Sequence, residues 1–159
     1  MIKFLKKNKN RFEKFEELLK KDNINFSIQE SPTCKEYNFS KNYSNTVTFG
    51  KVVIFKNNYQ NLITICIFRD ISKYSKKRFL EIANELNSEF FNVNFFLLEN
   101  DRKTYDFFLT RFYYSHSMED FESEDLFNLF QKTDNLLSDI IPQIEKYKEV
   151  DTIKKLLKK

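Results

Sequence analysis

The chain predicts an α+β fold: an antiparallel sheet of about five strands with helices packed against it, in the order α-β-ββ-α-ββ-α. Three observations carry this. Two pairs of strand-like runs, 46–55 with 62–68 and 91–98 with 104–114, are each joined by only five or six polar residues. Connections that short suit antiparallel neighbours, because a parallel crossover needs about a dozen residues or more. Apolar residues at helical spacing lie before, between and after the two pairs. Finally, 159 residues with 41% hydrophobic and 17% aromatic content suit one domain, which at this size buries roughly 70% of its unfolded surface.

Taking the elements in order, Phe4, Leu5, Phe12, Phe15, Leu18 and Leu19 recur at helical spacing among Lys and Glu, which predicts an amphipathic helix ending near Asp22-Asn23. Ile24, Phe26 and Ile28 then alternate with Asn25, Ser27 and Gln29, a period of two that argues a half-buried strand. Residues 30–45 contain Pro32 and several Ser and Asn; they read as a loop of about fifteen residues with one short strand at Tyr37 to Phe39. Gly50, the only glycine, sits inside the next strand, where it marks a bulge or a close backbone approach. The run Leu62 to Phe68 is apolar at nearly every position and belongs in the middle of the sheet. Ser75 is a candidate N-cap for a helix whose inward face is Phe79, Ile82, Ala83, Leu86 and Phe90. After the second strand pair and a polar connection over 115–122, Ser123 opens a long helix with Glu124 and Asp125 at its positive end. Its stripe of Leu126, Phe130, Thr133, Leu137, Ile140, Ile144 and Tyr147 is interrupted by Pro142, which predicts a kink or a restart. Val150, Ile153, Leu156 and Leu157 continue an amphipathic pattern among lysines, so the expected organisation is one domain over 1–147 and a lysine-rich helical extension over 148–159.

The formal charge is +4, with eight Lys/Arg against three Glu in residues 1–21 and six Lys against three acids in 145–159, so the body between is net acidic. A nucleic-acid binder places its basic stripe on the folded body and uses arginine to grip phosphate; here only five of the basic residues are Arg. The 19 Phe, 22 Lys and 17 Asn against one Gly and no Trp follow AT-rich codons, so the lysine count is not in itself a sign of a polyanionic partner. Solvated terminal helices, and a footprint for RNA or anionic lipid, are the two readings of the basic ends. No apolar run approaches the length of a membrane span and no secretory leader is legible, which places the chain in the cytoplasm. Cys34 and Cys66 lack metal-binding or redox spacing, and Cys66 reads as a small core hydrophobe.

Chemistry is not legible. Catalysis needs a convergent set of groups, and His116, the only histidine, lies in Tyr-Ser-His-Ser-Met with no acid at a recognisable offset. The single glycine leaves no phosphate-cradling loop. Nor do the acids between 119 and 139 form a working pair, since they fall on the outer side of a helical pattern. No catalytic, cofactor-binding or metal-binding residue is assigned, and no cofactor is expected.

The most informative feature is an imperfect alternation. Tyr105, Phe107 and Leu109 mark one face of the second strand pair, yet the opposite face carries Phe96, Leu98, Phe108, Phe112 and Tyr114. A sheet with helices on one side should be polar on the other, so those five residues need cover. A terminal helix, a second copy of the chain (a homodimer) or a protein partner would each supply it. These five are the candidate protein interface.

The order of elements, with Phe12 to Phe26, Phe-Leu-Glu-Ile-Ala-Asn-Glu-Leu-Asn at 79–87, the strand pair 93–114 and the closing helix 121–147, resembles the bacterial YbjN-like family, which shares the type III secretion chaperone-like fold. The resemblance spans about 135 residues and is one of pattern and order. It implies a small α+β domain over 1–147, often dimeric, without catalytic residues, in a family tied to sensory or regulatory roles; the secretion chaperones bind partner segments along their surface. The combined expectation is a non-catalytic protein-interaction module, chaperone-like or regulatory. The alternatives are an immunity- or antitoxin-like inhibitor that binds one toxin through the acidic long helix, and an RNA binder using the basic ends.

Overall fold

A computed structural model describes the backbone of residues 2–56, 60–114 and 123–159, with side chains from Phe12 onward. The leading helical pattern forms α1 (Ile2–Lys21), which buries Phe12, Phe15 and Leu19. The chain leaves it through Asn23, in the left-handed region at φ 56°, into β1 (Ser27–Glu30).

The first departure from expectation follows. Residues read as a loop form a ten-residue strand, β2 (Cys34–Tyr43), paired along its whole length with β3 (Thr46–Phe55). The sheet therefore has six strands in the order β1-β2-β3-β4-β6-β5, every neighbour antiparallel, with β4 spanning Gln60–Ile71, β5 Asn94–Glu99 and β6 Tyr105–Tyr114. The sequence masks β2 because its inward row is Lys35, Tyr37, Phe39, Lys41 and Tyr43. The lysines lay their stems over the core, and their heads meet acids on the helices above: Lys35 bonds Glu16 at 2.6 Å and Lys41 bonds Asp134 at 2.5 Å.

Three helices cover one face. The middle helix, α2 (Lys76–Glu89), inserts Phe79 against Phe68 and Phe107, with ring centroids 5.9 and 5.7 Å apart. The hydroxyl of Ser75 makes no cap bond to it. The last helix, α3 (Ser123–Leu157), runs on through Pro142 as one 35-residue element and packs Phe130 edge-on to Phe39 at 5.1 Å. Phe15 of α1 meets Tyr37 at 5.2 Å, also edge-on. Tyr37, Phe39, Phe68 and Phe107 share a sheet face by register, so all three helices lie on the same side.

Gly50 is a close approach. Register continues through it on both sides, and a Cβ there would come within 2.5 Å of the Phe39 ring and 3.1 Å of Ile65. The irregularities lie instead in β4, where pairing with β6 shifts between Cys66 and Phe68 and again before Ile71. The strand expected from residue 91 begins at Asn94, after a turn in which Asn92 has φ 62°. Cys34 and Cys66 are both free thiols. His116 and the rest of the 115–122 connection lie outside the described residues.

Candidate functional site

Register fixes what the other sheet face carries. Phe96 of β5 pairs with Phe108 of β6, which pairs with Cys66 of β4, which pairs with Phe49 of β3. Four residues along, Leu62 opposes Phe112 and Val53, and beyond them Gln60 opposes Tyr114. Leu98 stands opposite Asp106 on the same face. Side chains at such cross-strand positions are direct neighbours. The five residues singled out by sequence, Phe96, Leu98, Phe108, Phe112 and Tyr114, are thus brought together on the face opposite the helices.

Their environments differ. Phe96 and Phe108 stack with centroids 5.5 Å apart and are half-buried by each other and their neighbours. Leu98, Phe112 and Tyr114 are 57%, 42% and 65% exposed. No described helix packs over them, so cover by a terminal helix, one of the three expectations, is not what the described residues show. Sequence reasoning missed the extension of the patch onto β3. Val47 and Phe49 are exposed on the same face, with the Arg69 guanidinium 4.1 Å above the Phe49 ring. The signal was present in the alternation Val47, Phe49, Lys51, Val53, but the longer apolar run that follows Val52 obscured it.

The face is divided. Across β1 and β2 its residues, beyond Cys34 at the start of β2, are Ser27, Gln29, Glu36, Asn38, Ser40 and Asn42, a polar surface. Apolar residues dominate across β3, β4, β6 and β5. Cys66 lies beneath the aromatics of that half, nearly excluded from solvent, with its thiol donating to the Phe68 carbonyl at 3.6 Å. Burial, helped by the nearby Asp106 carboxylate, pushes this thiol up to about 11, so it stays protonated near neutral pH.

The outer edge strand, β5, is partly blocked. The Asn87 side chain on α2 accepts from the Phe95 amide at 2.7 Å and donates to the Phe95 carbonyl at 2.9 Å. That carboxamide takes the place of a strand partner and closes this point of the edge to β-addition. The accessible apolar surface is therefore the face and not the edge.

A polar knot closes one end of the sheet. Asp70, in the left-handed region at φ 55°, accepts from Thr104, Asn100 and Arg102 at 3.0, 3.3 and 3.0 Å. Burial raises its pKa, but the Thr104 hydroxyl, Arg102 and Asn100 outweigh that and hold the carboxyl below its usual range. These groups satisfy one another and support the turn between β5 and β6. Among the described residues no group of three or more His, Cys, Asp or Glu is placed to hold a metal ion. No described helix is long and apolar enough to cross a membrane.

No protein-family model matches the chain, and no curated protein matches its sequence. Solved structures do. The chain is similar to the crystal structure of YbjN from E. coli, a proposed transcription regulator, with a TM-score of 0.62 and 10% identity over 86% of this chain and 93% of that one. The fold is YbjN-like.

Proposed function

We propose that the chain is a non-catalytic protein-interaction module, regulatory or chaperone-like, which binds a protein partner on the apolar half of its open sheet face. The observation that carries this reading is the unequal treatment of one sheet: three helices cover one side, while Phe49, Leu98, Phe112 and Tyr114 on the other remain exposed. Aromatic side chains at the centre of such a patch are the usual anchors of a protein interface. The likeness to a proposed transcription regulator supports a regulatory role over a catalytic one.

The inhibitor reading draws less support, because acids of α3 are engaged within the chain. Glu124 pairs with Lys14 at 3.0 Å, Asp134 with Lys41 and Tyr43, and Glu145 with the Asn45 amide and the Thr46 hydroxyl at 2.9 and 2.8 Å. The test is capture from a host lysate by the wild type and by a Phe112→Ser/Tyr114→Ser variant, with light scattering on both. A protein retained by the wild type and lost by an equally stable variant, or a self-association lost in the same way, is the expected result. The same retained proteins and the same mass for both would overturn this use of the face.

A further inference from the structure

The last turns of α3 are inside out. Asp151 is fully buried, while Val150, Ile153, Leu156 and Leu157 are 46%, 55%, 66% and 80% exposed. A solvated helix end has the opposite arrangement. At 100° per residue these four side chains fall within one arc, directed away from the molecule. The cause is a latch. The Asp151 carboxylate accepts from the Ser72 amide at 3.2 Å and from the Ser72 hydroxyl, and pairs with Lys148 at 3.6 Å and Lys155 at 3.3 Å. Lys155 also donates to the Asp70 carbonyl. Those bonds set the rotation of the helix and turn its apolar side outward.

The surroundings are cationic. A groove of about 600 Å³ beside this helix end is lined by Lys73, Lys103, Lys155, Lys158 and Lys159, with Tyr74 and Leu156 and without an Asp or Glu side chain. Lys103 pairs with Glu99 at 3.7 Å and Lys155 with Asp151, so Lys73, Lys158 and Lys159 carry most of its positive charge. Lys73 and Lys158 lie 5.3 and 5.5 Å from the centre of the half-exposed Tyr74 ring.

We infer that this end of the molecule, Val150, Ile153, Leu156 and Leu157 with Tyr74 and the lysines around them, docks peripherally on an anionic membrane surface. Exposed aliphatic side chains flanked by lysines and an interfacial aromatic supply the two contributions such binding needs, apolar insertion and attraction to acidic headgroups. Charge decides between occupants. Two copies meeting through this stripe would set Lys154, Lys158 and Lys159 of each against the other. RNA would draw on arginine, but the arginine at this end, Arg102, is held by Asp70 at 3.0 Å, and bare phosphate offers nothing to Ile153 or Leu157. The inference is independent of the open sheet face, which lies on the strands.

Flotation of the full chain with phosphatidylcholine vesicles, with and without roughly 30% phosphatidylglycerol, tests it. Binding is expected only to the anionic vesicles, weakening on the order of tenfold as salt rises from about 0.1 M to about 0.5 M. An Ile153→Ser/Leu156→Ser/Leu157→Ser variant should bind at least about tenfold more weakly, with its melting curve unchanged because the sites are exposed. Should that variant misfold, Lys158→Ala/Lys159→Ala provides a second route and should lose binding at low salt. Absence of binding to anionic vesicles, equal binding to neutral ones, or full binding by both variants overturns the proposal. So does a wild-type dimer that the triple variant converts to monomer, since a second copy is then the occupant.

Discussion

Phe107 and Phe108 are consecutive on one strand, yet they lie in two different environments. Phe107 faces the helices, is fully buried and meets Phe68, Phe79 and Phe95 at 6.4, 5.7 and 6.2 Å. Phe108 faces the other way, where among the described residues its ring contact is Phe96, in a row that ends in the exposed Phe112 and Tyr114. Residue type is identical and strand propensity is identical; only the parity of position differs. A chain with 19 phenylalanines therefore owes its stability to some of them and has others available for contact.

The largest test of that comparison is a pair of alanine substitutions. Phe107→Ala empties the centre of an aromatic cluster and should cost about 3–5 kcal/mol in urea denaturation, a large part of the roughly 5–15 kcal/mol typical of a domain. Phe112→Ala, on the open face, should cost under about 1 kcal/mol. If the two costs are equal, something in the chain covers the outer face and the asymmetry is wrong.

Much of this was legible in sequence, and the reasons for the rest are physical. The hairpins, the central position of β4, and the outward row of Phe96, Leu98, Phe108, Phe112 and Tyr114 follow from period-two alternation and short connections. The strand β2 was hidden because period-two reading counts lysine as polar, whereas Lys35 and Lys41 point inward and reach Glu16 and Asp134 from distant helices. No local pattern reports a partner that lies 19 or 93 residues away. The rotation of the last turns of α3 was hidden for the same reason. Val150, Ile153 and Leu157 continue an amphipathic pattern, but a bond from Asp151 to Ser72, 79 residues away, decides which way that stripe points.

Asp151 gives the next largest effect and shows the same inversion of inside and outside on a helix. Asp151→Ala removes the acceptor of the Ser72 amide and hydroxyl and leaves two lysines without their counter-ion, which should cost about 1–3 kcal/mol. Burial favours the neutral acid, but the Ser72 hydroxyl and amide and Lys155 prevail and hold this carboxyl below its usual range. A depressed folded-state pKa contributes stability that is fully present above the unfolded value, about 3.9. That stability is lost as pH falls through the lower folded value. Urea midpoints for the wild type should therefore fall more steeply below about pH 4 than those of Asp151→Asn, and equal acid limbs would remove the latch.

Gly50 sharpens the contrast at a single position. Its missing side chain lies on the helix-covered side, where the Phe39 ring fills the space, with a would-be Cβ only 2.5 Å from that ring. Gly50→Ala must displace Phe39 and its edge-on contact with Phe130, and should cost about 1–2 kcal/mol despite the better strand propensity of alanine. Phe49→Ala, one residue away on the open face, should cost less in the same titration. The reverse order would mean that Phe39 moves freely and that the inner face at this point is not tightly packed.

The smallest effect is a rate and leaves stability untouched. Cys66 belongs to the open face but lies beneath its aromatics, and burial with Asp106 nearby pushes its thiol up from the ordinary cysteine range to about 11. Near pH 8 that leaves about a hundredfold less thiolate than an unperturbed cysteine, and the thiolate is the reactive form. In a Cys34→Ser background, labelling by a disulfide reagent should be slow by at least that factor and accelerate severalfold in Phe108→Ala, which opens the cover above the sulfur. A protein docked on the apolar half closes that cover again, so labelling of the variant should slow when the partner is added and stay unchanged if the partner sits elsewhere. Fast labelling of Cys66 in the wild type would mean that the outer aromatics do not pack over β4, and Phe96 and Phe108 would then not form the stacked centre of the patch.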